Sequence, residues 1–217
     1  MTDIALDVRR AAWGVRVLAV VLGAALVALA AQISIPLPGT PVPMTLQPMA
    51  VLLVGGLLGA RLGASSMILY LALGAAGLPV FTPTVPLVGV ARLLGPTGGY
   101  LLAYPVAAWA VGWFTDPGRQ PGVNEPVGMP NQPTVGGFVD PGLAPGVRAP
   151  WPRVTVGVVV GLVLIHLGGL AQLAILMGDI SAAARFGTLP FLLGDLIKIA
   201  VLVPVLTKLA PTIRARL

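Results

Sequence analysis

Residues 154–176 read VTVGVVVGLVLIHLGGLAQLAIL, a continuous run without one charged side chain. A run of that length spans the roughly 30 Å hydrocarbon core of a bilayer, for which about 20 apolar residues suffice. The rest of the chain has the same character. Of its 217 residues, 57% are hydrophobic and only 9% charged, too few charges to cover a water-exposed surface of this size. Further apolar runs fall at 13–31, 46–60, 62–76, 98–114 and 189–209. Six spans consume roughly 120 residues and leave the remainder for loops and ends. The expected fold class is therefore an all-α integral membrane protein, a six-transmembrane-helix bundle forming a single membrane domain over 1–217. The runs 46–60 and 62–76 are short, and the Gly59-Ala60-Arg61 junction suits either a tight helical hairpin or one long span with a break.

The basic residues orient the bundle. With the amino terminus inside, Arg9, Arg10, Arg16, Arg61, Arg119, Arg148, Arg153, Lys208, Arg214 and Arg216 all fall on inner segments, ten of the thirteen Lys and Arg. Only Arg92 and Arg185 fall outside, and Lys198 lies within the last span. Such asymmetry follows the positive-inside rule and places both termini in the cytoplasm. The same scatter argues against a nucleic-acid partner, because the net charge of +6 is not gathered on one polar face. Asp3, Asp7, Arg9 and Arg10 precede the first run and no small-residue cleavage site follows it, so a retained first helix is expected. Residues 116–150 hold eight prolines and seven glycines without apolar periodicity, the composition of an irregular cytoplasmic loop. No inverted internal repeat is visible.

Glycine, at 28 residues, permits close helix packing. Ala24 and Ala28 make a small-xxx-small step on the first helix, suited to packing within the bundle or against another subunit. A second copy of the chain and membrane lipid are candidate neighbours. With no cysteine, disulfide and thiol chemistry are excluded. No nucleotide-binding loop, GxSxG elbow or catalytically spaced carboxylate pair occurs. An enzyme is not expected, nor a catalytic residue, a metal site or a cofactor. His166, alone among apolar neighbours, reads as a hydrogen bond across helices rather than a metal ligand.

Two charges stand where charge is costly. Asp195 and Lys198 interrupt Leu192, Leu193, Ile197 and Ile199 in the last span, and either costs roughly 2.5 to 3.5 kcal/mol at the centre of a membrane helix. Spaced by three, they share a helix face. They either neutralise each other as an internal ion pair or grip two ends of a ligand. Gly194 and Pro190 beside them leave room and loose backbone near the outer end. Two outer loops converge on the same region. Residues 33–47, ISIPLPGTPVPMTLQ, form a Pro-stiffened segment that delivers Thr45 and Gln47 to the second helix, and stiff loops reduce the entropy lost on binding. Residues 77–100, carrying Phe81, Arg92 and Tyr100, hold too much Gly and Pro for one helix and read as a structured lid.

Four segments, ISIPLPGTPVPMTLQ (33–47), GLPVF (77–81), LLGPTGGYL (93–101) and LPFLLGDLIK (189–198), occur in this order. In them the chain resembles the BioY family, the biotin-specific S components of energy-coupling factor vitamin transporters, over nearly its whole length. The resemblance implies a plasma-membrane protein of a bacterium or archaeon that captures biotin at the outer face. It also implies partners, a transmembrane coupling protein and two ATP-binding-cassette ATPases, because the chain has no ATP-binding motif of its own. The small-residue face at Ala24 and Ala28 resembles the surface by which S components dock on the coupling protein. Asp195 then accepts from the ureido group of biotin. Lys198 donates to the ureido carbonyl or neutralises the carboxylate, and Phe81 and Phe191 cover ring and tail. Arg92 has no matching family ligand, and the 116–150 loop is longer than the family connection. An S component for another vitamin, or a structural membrane protein with a merely internal Asp–Lys pair, stays open.

Overall fold

The computed structural model describes residues 2–116 and 149–217. The Pro/Gly-rich stretch expected as a loop over 116–150 lies outside the described residues except at its ends. In chain order the elements are α1 (Thr2–Gln32), β1 (Ser34–Ile35), β2 (Met44–Thr45), α2 (Gln47–Leu58), α3 (Ala60–Ala75), α4 (Val90–Leu94), α5 (Gly98–Phe114), α6 (Trp151–Met177), α7 (Ile180–Gly187), a 3₁₀ turn (Leu189–Phe191) and α8 (Leu192–Arg214). Among the described residues, three stretches are long and apolar enough to cross a membrane: Trp13–Gln32, Trp151–Met177 and Ile180–Arg214. Shorter apolar helices cover Gln47–Leu58 and Ala60–Ala75. At 1.5 Å per residue, α2 is about 18 Å long and α3 about 24 Å, both less than a full hydrocarbon core.

The break between α2 and α3 is made by Gly59, whose φ of +84° and ψ of 174° are open essentially to glycine alone. The two helices fold back across it so closely that a Cβ on Gly63 would sit 2.7 Å from the Gly55 Cα. Helix α5 lies at the centre and packs on α2, α3 and α6. Its approach to α6 is backbone against backbone at Gly99 and Gly168, where neither position has room for a Cβ. Where lipid tails are as apolar as the helices, such close packing supplies the association. Outside, the bundle is apolar: Leu29, Ile175, Leu193 and Ile197 are all well exposed.

Helix α1 packs on α3 and α2 through Gly23, Ala24 and Val27. Ala24 is 2% exposed and Ala28 lies partly buried against the core. The missing side chain of Gly23 lets α1 close on Ser66 and Val54.

At one end of the bundle the short ribbon β1–β2 pairs Ser34 with Thr45. The 76–97 segment with α4, and the α7 and 3₁₀ connection, cover the same end. At the far end Arg214 spans two helix termini, donating to Leu57 O (3.3 Å), Gly56 O (2.5 Å), Thr115 O (2.9 Å) and Thr115 Oγ1 (2.6 Å).

Candidate ligand pocket

Each covering segment is fastened by a polar contact that its own sequence supplies. Phe81 sits over Gly74 on α3, where any side chain would collide with its ring. One turn earlier, Tyr70 meets the Phe81 ring edge-on, with centroids 5.4 Å apart. The Tyr70 hydroxyl donates to Val80 O (3.2 Å) and accepts from Gln47 Nε2 (2.5 Å). Gln47 thereby links the start of α2 to the lid.

Arg92 organises the remainder of that lid. Its guanidinium, 1% exposed, donates to Thr82 O (2.6 Å), Val85 O (2.5 Å) and Leu87 O (3.4 Å). A planar fork of donors suits a bent backbone carrying several unpaired carbonyls. The α7 connection is held from two sides: Tyr100 Oη donates to Gly187 O (2.5 Å), and Thr40 Oγ1 of the Pro-rich loop donates to Phe186 O (2.6 Å). Gly169 leaves the space that the Tyr100 ring fills.

Asp195 stands at the very start of its helix. The chain breaks at Thr188 and passes through a 3₁₀ turn, so α8 begins at Leu192 and Asp195 falls in its first turn. There the positive end of the helix dipole favours a carboxylate, which lowers the cost of burying it. Lys198 Nζ donates to Asp195 Oδ1 at 2.8 Å. His166 Nε2, from α6, lies 2.6 Å from Oδ2. Asp195 is 6% and Lys198 9% exposed. The ion pair read as one alternative is present, and the cross-helix hydrogen bond of His166 is made to that pair.

All eight ligand candidates line one pocket: Thr45, Gln47, Phe81, Arg92, Tyr100, Phe191, Asp195 and Lys198. Its volume is about 620 Å³ with its open mouth included. Its walls are largely apolar, with Leu101 and Tyr104 from α5 and Leu162 and Ile165 from α6. Few of its polar groups are free. Thr97 Oγ1, Arg92 Nε and His166 Nδ1 are buried without a hydrogen-bond partner, and each belongs to a lining residue. A polar group buried without a partner costs about 1–3 kcal/mol, so three of them on residues around the pocket suit a polar ligand.

Sequence reasoning did not select Thr97, Tyr104, Leu162 or Ile165, and it gave His166 no place in the site. A signal existed for α6. Leu162, Ile165 and His166 follow i, i+3, i+4 spacing on one helix face, and Gly168 and Gly169 mark the close approach of α5. Among the described residues no group of three His, Cys, Asp or Glu is arranged to hold a metal ion.

Known proteins are similar to this chain in sequence and in fold. The model of the BioY family matches residues 5–215. A probable biotin transporter BioY from Pyrococcus horikoshii is 46% identical over 93 residues, 43% of this chain and 55% of that protein. Biotin transporter BioY2 from Lactococcus lactis subsp. cremoris is 46% identical over 94 residues, 43% of this chain and 50% of its own. In these matches the chain spans about half the length of its relatives. Biotin transporter BioY from Rhizobium etli is 30% identical over 188 residues, 85% of this chain and 87% of that one. In fold, the chain is similar to the crystal structure of the S-component for biotin from an ECF-type ABC transporter, with a TM-score of 0.68 at 24% identity over 89% of each chain.

Proposed function

The chain belongs to the BioY family, and from that premise we propose that it is the biotin-capturing subunit of an energy-coupling-factor importer. The observation that carries this reading is the convergence of the eight candidates, drawn from the ribbon, α2, the lid, α4, α5, the 3₁₀ turn and α8, on one pocket. The pocket combines an ionised cluster with apolar and aromatic walls, which matches a flat ureido ring and an apolar tail ending in a carboxylate. Asp195 accepts from a ureido N–H. Lys198 donates to an oxygen of the ligand, and Phe81 and Phe191 cover its apolar parts. Arg92 holds the lid closed over them.

In this reading the bundle crosses the plasma membrane of a bacterium or archaeon six times, with both termini inside and the ribbon end outside. Helices α2 and α3 are short for full spans, and the loops above them occupy the remaining depth, where irregular backbone is tolerated because it lines a cavity. Release inside is driven by a coupling protein and two ATPases. The small-residue face of α1 at Ala24 and Ala28 is the docking surface proposed for that partner. The test is equilibrium binding of labelled biotin to the purified protein, alongside thiamin and riboflavin. Retention of biotin alone, with a Kd about 100-fold weaker but still measurable in Asp195→Asn, is the expected result. Retention of another vitamin with no affinity for biotin would make the chain an S component of different specificity.

A further inference from the structure

Carboxylates that bind ligands must be held both ionised and in one rotation. Lys198 does the first for Asp195, but an ammonium is a rotationally permissive point charge, and at i, i+3 on the same helix it can follow the carboxylate as it turns. The second task needs a partner from another direction, and His166 is that partner. It reaches from α6 to Oδ2 at 2.6 Å while Lys198 holds Oδ1 at 2.8 Å. A carboxylate beside an ammonium is ionised and can only accept, so the proton in the contact belongs to Nε2. One lone pair on each oxygen then remains for a ligand.

The imidazole is itself braced. Tyr100 meets it edge-on (6.4 Å, 82°), and the Phe191 ring lies 6.4 Å away on another side. Packing alone does not account for a histidine here. Its Nδ1 is buried without a partner, a cost that an apolar side chain of similar size would avoid. The polar ring at this position serves what Nε2 touches.

We propose that His166 is a positioning residue of the ligand site, acting through Asp195 by locking the carboxylate rotation in which its free lone pairs face the bound molecule. This rests on the biotin reading for the identity of the ligand, but the lock itself exists without ligand. Removing His166 frees Asp195 to turn toward Lys198 and withdraw its acceptors from the pocket.

The test is a double-mutant cycle read as the Kd for labelled biotin. His166→Phe weakens binding about 100-fold. His166→Gln, whose amide N–H can meet Oδ2, recovers all but about tenfold, the worth of one imperfect hydrogen bond. In an Asp195→Asn background, His166→Phe has no further effect, which a merely structural role would not produce. Multiplicative losses in the double variant, or an unchanged Kd in His166→Phe, would overturn the proposal. If His166→Phe does not fold, His166→Gln completes the cycle.

A second measurement is independent of ligand. The chain has one histidine, so ¹⁵N-histidine labelling gives a single imidazole spectrum in detergent. Its Nε2 signal should be that of a protonated nitrogen donating to a carboxylate and should shift in Asp195→Asn. An Nε2 signal indifferent to Asp195→Asn would sink the lock, whatever the ligand proves to be. If wild-type protein ignores biotin while the Nε2 signal responds, the lock stands and only the assignment of biotin fails.

Discussion

The two ends of the bundle bury cations in opposite ways. At the far end Arg214 places each of its guanidinium nitrogens on an oxygen, Leu57 O, Gly56 O, Thr115 O and Thr115 Oγ1 among them. Its charge faces the carbonyl ends of α2 and α5, which a helix leaves unpaired and negatively polarised. At the pocket end Lys198, Asp195 and His166 form a chain whose members are paired with one another, and lining atoms on His166, Arg92 and Thr97 are left without partners. The first network is closed and the second is open. A closed polar network holds helices together, whereas an open one beside a cavity keeps capacity for something that arrives later.

The sharpest way to break this comparison is to replace Asp195 with Leu and Lys198 with Met together. Removing both partners leaves no unpaired charge and strands only the His166 Nε2 donor, so the protein should fold with a modestly lowered melting temperature while biotin binding falls by at least 1,000-fold, on the order of 4 kcal/mol. Unchanged binding in a folded double variant would reduce the pair to a structural element. Arg214→Ala is the counterpart at the closed end. Several carbonyls lose their donor, and thermal or denaturant unfolding in detergent should show a loss of about 3 kcal/mol. Its biotin Kd, measured on the folded fraction, should stay within about threefold, and a large change in affinity would mean that the two ends are coupled.

Arg92 tests an intermediate case, since it fastens the lid and also lines the pocket. Arg92→Lys keeps the charge but loses the planar fork, so biotin should dissociate about tenfold faster in stopped-flow chase experiments. The 78–88 segment should exchange its amide hydrogens faster at the same time. The smallest effect on ligand binding belongs to Gly59→Ala beside Arg214. An alanine at φ +84° should cost about 1–3 kcal/mol in unfolding experiments and leave biotin affinity unaltered.

Residue chemistry was more legible than residue partnership. The membrane character of 154–176 is plain from composition, because a bilayer demands long uncharged runs whatever the helices touch. Asp195 and Lys198 announce themselves because charge amid Leu and Ile is costly, and Pro and Gly mark the two loops that fold over them. The 3₁₀ turn that brings Asp195 into the first turn of α8 was not legible. It depends on how Thr188 and Pro190 seat against α7, and apolar periodicity continues through both. The step at Ala24 and Ala28 is ambiguous for a related reason: small residues report that something approaches closely, not what approaches.

What the sequence determined by itself was therefore the solvent of this protein, the mostly helical response to it and the side chains too polar to be there by default. Those properties follow from the transfer energy of single residues and from local spacing. Tertiary structure decided which polar groups meet. His166 reaches Asp195 across 29 positions, and Arg214 reaches Leu57 across 157. Neither contact leaves a local trace, because a hydrogen bond between helices depends on where two backbones are held, and glycines such as Gly99 and Gly168 set that distance.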